Sequence, residues 1–308
     1  MELCKTAATL PLNSLFYINI TKLILKKVTI IGVPEHFNFP WHLAIEEGAF
    51  EARGIQLEWT DIPEGTGKMA QMLKDQETDL AIILTEGITK SITEGNPSKI
   101  VQEYIASPLL WGIHVGAKGD IHQMDDLKGK KAAISRYGSG SHLMAYVNAK
   151  NQGWDTEDLN FEVINNLDGA VEALSDGTAD YFMWERFTTK PIVDKGIFRR
   201  ITDCPTPWPC FVIAATDKFI AENSALLNHI LEVINSYTLE FKQIPSIDRT
   251  IANNYGQQLE DLQQWLSLTR WSQMNLAPNT LKQVQETLID LNLISQRLPY
   301  EDLVFTKK

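Results

Sequence analysis

Cysteine is scarce in this chain, which contains only Cys4, Cys204 and Cys210. The number is odd and only the last two lie near each other in sequence, so we expect no disulfide framework, as is typical of a reducing compartment. Cys204 and Cys210 lack the C-x-x-C spacing of a structural zinc site, and the six histidines show no zinc-type spacing. We therefore predict no metal site and no cofactor.

Basic residues are too few, and too scattered, for a nucleic-acid partner. Lys and Arg total 28 against 39 Asp and Glu, which gives a formal net charge of -11. Because phosphate contacts need clustered Lys and Arg, we predict no nucleic-acid partner. The same charge does not favour an anionic membrane surface. The remaining partner class is a small molecule, any anionic group of which must be held by local donors.

A long uninterrupted apolar run is also absent. Polar residues such as Asn13 and Asn19 interrupt the apolar stretch from Leu10 to Leu25, and no small-residue cleavage site precedes the strand-like VTIIG. We predict a poorly ordered extension over residues 1–26 and no stable membrane insertion. A cytoplasmic location is favoured, and a periplasmic location with a leader is the alternative.

Strand-like and helix-like segments alternate over most of the chain. Short apolar runs such as KVTIIGV and LAIIL are followed by amphipathic stretches, which indicates βαβ units and mostly parallel sheets in an α/β fold. Strand-like crossings near Trp111–Val115 and Pro209–Ile213 divide the pattern into two blocks. We predict lobe 1 over residues 27–112 and 210–308, lobe 2 over 113–209, and a helical tail from Asp217 to Gln296. The cleft between two such lobes is a preferred ligand site.

The segment from Lys128 to Trp154 carries the strongest local signal for a ligand. It predicts a buried strand, a glycine-serine turn and the start of a helix, where free backbone N–H groups favour an acceptor or an anion. We predict that this turn contacts the ligand through Arg136, Gly138, Ser139, Gly140, Ser141 and His142. The alternative is an ordinary serine N-cap with a glycine turn.

Five local patterns fall in one order along the chain. They are PEHFNFPWHLAIEEGAFEARGIQLE (34–58), QMLKDQETDLAI (71–82), DDLKGKKAAISRYGSGSH (125–142), AVEALSDGTADYFMWE (170–185) and PCFVIAATDKFI (209–220). Together they resemble the type II periplasmic binding proteins, most closely the alkanesulfonate, taurine, nitrate and thiamine-pyrimidine binders. The missing signal peptide resembles instead a smaller group of intracellular fungal and bacterial proteins with this architecture. An ABC permease is expected as a partner only if the protein is exported.

The resemblance implies ligand contacts from loops at the carboxyl ends of the strands of both lobes. Besides the glycine-serine turn, the candidate ligand residues in these loops are His36, Phe37, Asn38, Trp41, Gly65, Thr66, Glu86, Ser107, Trp111, Trp184, Glu185 and Trp208. For some of these residues the alternative to ligand contact is a purely structural role. Phe37 and the tryptophans could belong to the core, and Glu86 could be a helix N-terminal acid. The EGTGK segment departs from a phosphate loop, which excludes a nucleoside-triphosphate site there.

The candidate residues indicate the class of ligand. The acidic candidates Glu35, Glu86 and Glu185, the donor-rich turns and several tryptophans together favour a heteroaromatic, thiamine-pyrimidine-like solute over a simple sulfonate or nitrate. We expect it to be bound as the lobes close about hinges near Trp111–His114 and Trp208–Cys210. One alternative is a pyrimidine-precursor synthase on the same fold, although the cysteine-rich motif of the fungal enzymes is missing. Another is a sensor whose closed form binds a second protein. No nucleophile elbow of the G-x-S-x-G type is present, and we predict no catalytic residue.

Overall fold

The computed structural model describes residues 25–306, and within them the chain forms two five-stranded sheets. The strands are β1 (Lys26–Gly32), β2 (Ile55–Asp61), β3 (Leu80–Leu84), β4 (Ser98–Ile105), β5 (Leu110–Gly116), β6 (Lys131–Ile134), β7 (Asn160–Val163), β8 (Tyr181–Glu185), β9 (Phe198–Pro205) and β10 (Phe211–Thr216). The first sheet has the order β2-β1-β3-β10-β4, and the second has the order β7-β6-β8-β5-β9. The predictions for Cys4 and for residues 1–24 lie outside the described part of the chain.

Helices cover the faces of both sheets. They are α1 (Phe39–Glu46), α2 (Thr66–Lys74), α3 (Thr85–Thr93), α4 (Gly140–Asn151), α5 (Leu167–Asp176), α6 (Lys190–Asp194), α7 (Asp217–Glu240), α8 (Ile247–Tyr255), α9 (Leu259–Leu268), α10 (Pro278–Asp290) and α11 (Tyr300–Leu303). The tail after β10 is helical, as predicted, and belongs to the first lobe because α7 packs on α1, α10 on α3 and α11 on β4. None of the described helices combines the length and hydrophobicity that crossing a membrane requires.

Both sheets are mixed but mostly parallel. In the first sheet β10 runs antiparallel to its neighbours β3 and β4, and in the second β5 runs antiparallel to β8 and β9. These two strands are the ones that follow a crossing from the other lobe. Parallel neighbours place their carboxyl ends at one edge, so the loops after β1, β3, β6 and β8 can meet between the lobes. The predicted two-lobed α/β class is confirmed.

The lobes are joined by two adjacent crossings, at residues 106–109 and 206–210. They are hydrogen-bonded to each other, since Thr206 N donates to Leu109 O at 3.0 Å and Cys210 N donates to Ser107 O at 3.2 Å. The first hinge was predicted too late in the chain. Trp111 to His114 lie inside β5, where ladder bonds on both sides hold the backbone.

Three predicted boundaries differ from the structure. Trp111 and Gly112, assigned to the first lobe, pair with Glu185 and Trp184 in the second sheet. Lys26, assigned to the N-terminal extension, is the first residue of β1. The helical spacing of Leu43, Ala44, Glu47 and Phe50 predicts a helix over Trp41–Arg53, but the observed helix ends at Glu46, because Gly48 adopts a left-handed φ of 69° that a continuing helix cannot contain.

Candidate functional site

A cavity lies between the two lobes, at the carboxyl ends of their strands. It encloses about 440 Å³ of empty space, counting the solvent at its mouth. We call it the first chamber. Its lining is Val33, Glu35, Glu64, Gly65, Thr66, Leu84, Leu109, Trp111, Ser135, Ser139, Gly140, Ser141, Trp184, Glu185 and Phe211. Residues of both lobes form the wall, so a molecule held there would contact both at once.

Two buried carboxyl groups reach this chamber from opposite lobes. Glu35 follows β1 and is 7% exposed, and Glu185 ends β8 and is 3% exposed. Burial, together with repulsion from the Glu185 carboxyl, raises the pKa of Glu35 to about 8. Burial also raises the pKa of Glu185, to about 7, although the Thr188 backbone N–H donates to its Oε2 at 2.6 Å. The lining contains no Lys, Arg or His, and only the charge of the neighbouring Arg186 partly offsets the carboxyl of Glu185.

Two tryptophans supply aromatic surface to the same chamber. Their rings, on Trp111 and Trp184, meet edge to face with centroids 6.3 Å apart, and Trp184 also stacks on Phe182 at 5.4 Å. Trp111 is 3% exposed, and its Nε1–H finds no acceptor among the residues the structure describes. A buried donor without a partner costs free energy, and an acceptor on a bound molecule would satisfy it.

The glycine-serine turn caps its helix and also lines the chamber. Ser139 is the N-cap of α4, and its Oγ accepts from His142 N at 3.3 Å. Ser141 accepts from the Ser135 backbone N–H at 3.0 Å. Both serines and Gly140 line the first chamber. The two sequence interpretations therefore coexist, because a capped helix start still points its remaining N–H groups outward.

A second, smaller cavity adjoins the first. It spans about 310 Å³ when the open solvent at its mouth is counted, has room for about one water molecule, and we call it the second chamber. Its lining is Thr66, Leu84, Glu86, Gly87, Lys90, Gly138, Ser139, Gly140, His142, Leu143, Leu288 and Leu293. Thr66, Leu84, Ser139 and Gly140 border both chambers. Trp208 orients the Glu86 carboxyl, because its Nε1–H donates to Glu86 Oε2 at 2.8 Å.

Four residues of the first aromatic loop lie away from both chambers, contrary to expectation. His36 is 1% exposed and packs against Phe37, Tyr255 and Trp265, with ring centroids 4.3 Å apart for the last pair. Burial lowers the pKa of His36 to about 3, so the ring is neutral. Phe37 joins the same cluster, as its structural alternative predicted.

Asn38 and Trp41 are also part of the fold rather than of the cavity wall. Asn38 Nδ2 donates to Val33 O at 2.8 Å and so ties the loop to the end of β1. Trp41 is fully buried and stacks on Phe50 at 5.9 Å. In the first turn of α1, Phe39 packs on Phe241 and Tyr255 of the helical tail, and Trp41 packs on Tyr104 of β4.

Three further candidates sit beside the chambers without lining them. Ser107 lies in the first crossing, where its Oγ accepts from Arg270 N at 3.1 Å. Trp208 lies in the second crossing and supports Glu86. Arg136 spans the cleft instead of lining it, since its Nη1 donates to Glu64 O at 2.8 Å. Its guanidinium lies against Gly67, where a Cβ atom would come within 2.3 Å of Nη2.

Several lining residues were not among the candidates. Ser135 directly follows β6, so its position at a carboxyl end could have identified it, whereas Glu35 was already an acidic candidate. Glu64 precedes α2, beside the predicted Gly65. Leu84, Leu109 and Phe211 are apolar strand or crossing residues, and nothing in the sequence separates them from ordinary core positions.

Charged side chains also bridge the lobes around the cleft. Lys150 at the end of α4 pairs with Asp290 of α10 at 2.8 Å, and Lys190 of α6 pairs with Asp261 of α9 at 3.2 Å. Arg186 Nη2 donates to Gln264 Oε1 at 3.0 Å. These contacts connect the second lobe to the helical tail of the first, so the structure is the closed arrangement of the two lobes. Each such pair contributes about 0–1 kcal/mol.

Arg136→Ala is expected to favour the open arrangement without unfolding the protein. The variant removes the hydrogen bond from Arg136 to Glu64 O, which crosses the cleft, and leaves both sheets untouched. Small-angle X-ray scattering should report a larger radius of gyration, while the melting temperature changes little. Arg249→Ala, at an exposed position of α8, is the matched control. Identical scattering for Arg136→Ala and the parent protein would contradict a closing role.

The fold and the interlobe cavity together define the class: the chain has the two-lobed fold of the type II periplasmic binding proteins. Within that class, residues 111–204, most of the second lobe, match the family model for Ca3427-like PBP. Comparison with curated protein sequences found no match. The resemblance inferred from the five sequence patterns is confirmed at the level of the fold.

Three solved structures illustrate the likeness. The Candida albicans CA3427 gene product, described as defining a new family with the generic periplasmic binding protein fold, is 25% identical with a TM-score of 0.82, over 91% of this chain and 96% of that one. The alkanesulfonate-binding protein SsuA of Xanthomonas axonopodis pv. citri, bound to MOPS, is 17% identical with a TM-score of 0.76, over 91% and 98% of the two chains. The aliphatic sulphonate binding protein SsuA of Escherichia coli is 14% identical with a TM-score of 0.69, over 92% of each chain.

Proposed function

We propose that this protein binds a small planar solute rich in hydrogen-bond donors, of the aminopyrimidine type found in thiamine, in the first chamber. The observation that carries the proposal is the position of Glu35 and Glu185, two buried carboxyl groups that reach one cavity from opposite lobes. A buried carboxylate is stable only when it is paired or accepts hydrogen bonds. A ligand with amino or ring N–H groups would supply those donors to both lobes.

The aromatic and donor groups of the wall support the same ligand class. Trp111 and Trp184 offer the apolar surface that a flat ring needs. The Nε1–H of Trp111 has no hydrogen-bond acceptor within residues 25–306, so an acceptor on the ligand could pair with it. An aminopyrimidine carries ring nitrogen acceptors next to its amino donor, so one small molecule meets both demands.

A free sulfonate or nitrate fits this chamber less well. The two SsuA proteins bind sulfonates according to their descriptions. In this chain the first chamber has three glutamates in its lining and no Lys, Arg or His. An oxyanion would have to share a buried space with carboxyl groups, and like charges at that range are strongly unfavourable.

Binding in this site would proceed by closure of the lobes. The crossings at residues 106–109 and 206–210 supply the backbone that can rotate, and a ligand touching both Glu35 and Glu185 stabilises only the closed arrangement. Such a ligand shifts the population toward the closed arrangement by as much as its affinity for the closed state exceeds its affinity for the open state.

The test is isothermal titration calorimetry with 4-aminopyrimidines and with alkanesulfonates at pH 8. We expect the aminopyrimidines to bind and Glu185→Gln to weaken them about tenfold or more, because a hydrogen bond to a charged group is lost. Glu222→Gln, at an exposed position of α7, should bind as the parent does. Binding of sulfonates but not of aminopyrimidines would refute the proposal.

A further inference from the structure

Closure of the lobes brings two carboxyl groups together in one enclosed space. Glu35 belongs to the first lobe and Glu185 to the second, and both line the first chamber. The Glu35 carboxyl lies against Glu185, Trp184 and Thr188 of the opposite lobe. Since the crossings at residues 106–109 and 206–210 connect the lobes, opening about them would separate the two carboxyls and let water reach both.

From this geometry we infer that closure of the ligand-free protein is coupled to proton uptake by the carboxyls of Glu35 and Glu185. Two carboxylates in one enclosed space repel each other and lose their hydration, whereas a protonated carboxyl beside a carboxylate does not repel it. The closed arrangement therefore holds at least one proton that the open arrangement releases at the same pH. The inference goes beyond the proposed function, because it concerns the ligand-free protein and is independent of which ligand binds.

The other titratable and charged groups around the pair do not supply a full counter-charge. Arg186 acts on Glu185, but its guanidinium is paired with Asp203 at 3.0 Å. Burial holds the pKa values of Tyr255 and Cys210 above their ordinary range, so both side chains stay neutral near pH 7. The remaining groups near the pair are Glu64, which is exposed, Glu86, which lies close to Cys210, and His36, whose ring is neutral. None of these supplies a positive charge, so a proton is the available means of neutralising the pair.

The pH interval of the effect follows from the same two groups. In the closed arrangement burial and the repulsion from Glu185 raise the pKa of Glu35 to about 8, and burial raises that of Glu185 to about 7, from an ordinary value of 4.5. In the open arrangement water brings both back toward the ordinary value. Between pH 4.5 and about pH 8 the closed-to-open ratio therefore falls as the pH rises, by about tenfold per pH unit for each proton. Mild acid favours the closed arrangement and so restricts access to the chamber.

Small-angle X-ray scattering of the ligand-free protein from about pH 5.5 to pH 9 tests the inference. We expect the closed-to-open ratio to fall at least about tenfold between pH 6 and pH 8, and the radius of gyration to rise with it. In the double variant Glu35→Gln with Glu185→Gln the ratio should change less than about twofold over that interval, because glutamine takes up no proton. Each single variant should keep a smaller pH dependence than the parent, since one carboxyl remains to bind a proton.

Asp290→Asn is the matched control for the loss of a carboxylate that joins the lobes. Asp290 is exposed and contacts Lys150 of the second lobe at 2.8 Å. Its replacement should change the closed-to-open ratio by one constant factor and leave the pH dependence as it is in the parent. A parent protein whose radius of gyration does not change with pH would overturn the inference, and so would a double variant that changes as the parent does. Either result would leave the proposed ligand standing, because calorimetry tests that ligand at a single pH.

Discussion

Replacing Glu35 and Glu185 together by glutamine is expected to raise the free energy of unfolding of the ligand-free protein at pH 8 by at least about 2 kcal/mol. Burial raises the pKa of the two carboxyls to about 8 and about 7, from an ordinary value of 4.5. One pKa unit corresponds to about 1.4 kcal/mol, and the two groups share part of their shift through mutual repulsion. Glutamine keeps the shape and the hydrogen-bonding oxygen but never ionises.

The direction of the pH dependence follows from proton binding. Between pH 4.5 and about pH 8 the folded protein holds protons on these carboxyls that the unfolded chain has lost, so its stability falls as the pH rises through that interval. The stability of the double variant does not fall in this way, because glutamine binds no proton in this pH range. We therefore expect the gap between variant and parent to be small at pH 4.5 and largest at pH 8.

Urea denaturation at pH 4.5, 6 and 8 measures the effect. Glu222→Gln serves as the control and should follow the parent at each pH, because this side chain is exposed. The double variant should also lose affinity for aminopyrimidines, since the groups that cost stability are those that the ligand pairs with. A double variant no more stable than the parent at pH 8 would show that the two carboxyls are not buried together in the ligand-free protein.

The class of site was easier to predict from the sequence than the individual residues that form it. Glu185 could be anticipated because a carboxylate at the carboxyl end of a buried strand lies at the edge where ligands bind. The glycine-serine turn could be anticipated from the change of period between β6 and α4. Both signals are local, and the alternation of strands and helices that defines the fold is local as well.

The errors concern residues whose direction is decided by distant parts of the chain. His36 and Trp41 follow β1 as a ligand loop would, but Tyr255 and Trp265 of the tail cover His36. Nothing near position 36 in the sequence specifies that packing. Arg136 was expected to bind the ligand itself, and only closure of the lobes brings Glu64 O to its guanidinium.

Gly140→Val is expected to reduce ligand affinity by at least about 100-fold while leaving the protein folded. Gly140 begins α4 in the second lobe, and a Cβ atom there would lie 2.9 Å from Cδ1 of Leu84 in the first lobe. It would also lie 2.7 Å from the Trp111 ring. Contacts this short are repulsive, and the rigid indole cannot yield without leaving the chamber wall. Binding in the closed state requires Leu84 and Gly140 to meet across the cleft. A valine at position 140 would therefore hinder closure of the lobes and also displace the Trp111 ring from the chamber wall.

Two glycines provide comparisons for this result. Gly119→Val lies on an exposed loop of the second lobe, where a Cβ atom meets only Gly116 O at 3.4 Å, and should bind as the parent does. Gly67→Ala displaces the flexible end of Arg136, which donates to Glu64 O, and should weaken binding less than Gly140→Val does. Calorimetry with an aminopyrimidine measures affinity, circular dichroism checks folding, and scattering reports whether ligand still compacts the protein. A folded Gly140→Val that binds and compacts normally would mean that the ligand is held in an arrangement more open than this one, in which Leu84 and Gly140 stay apart.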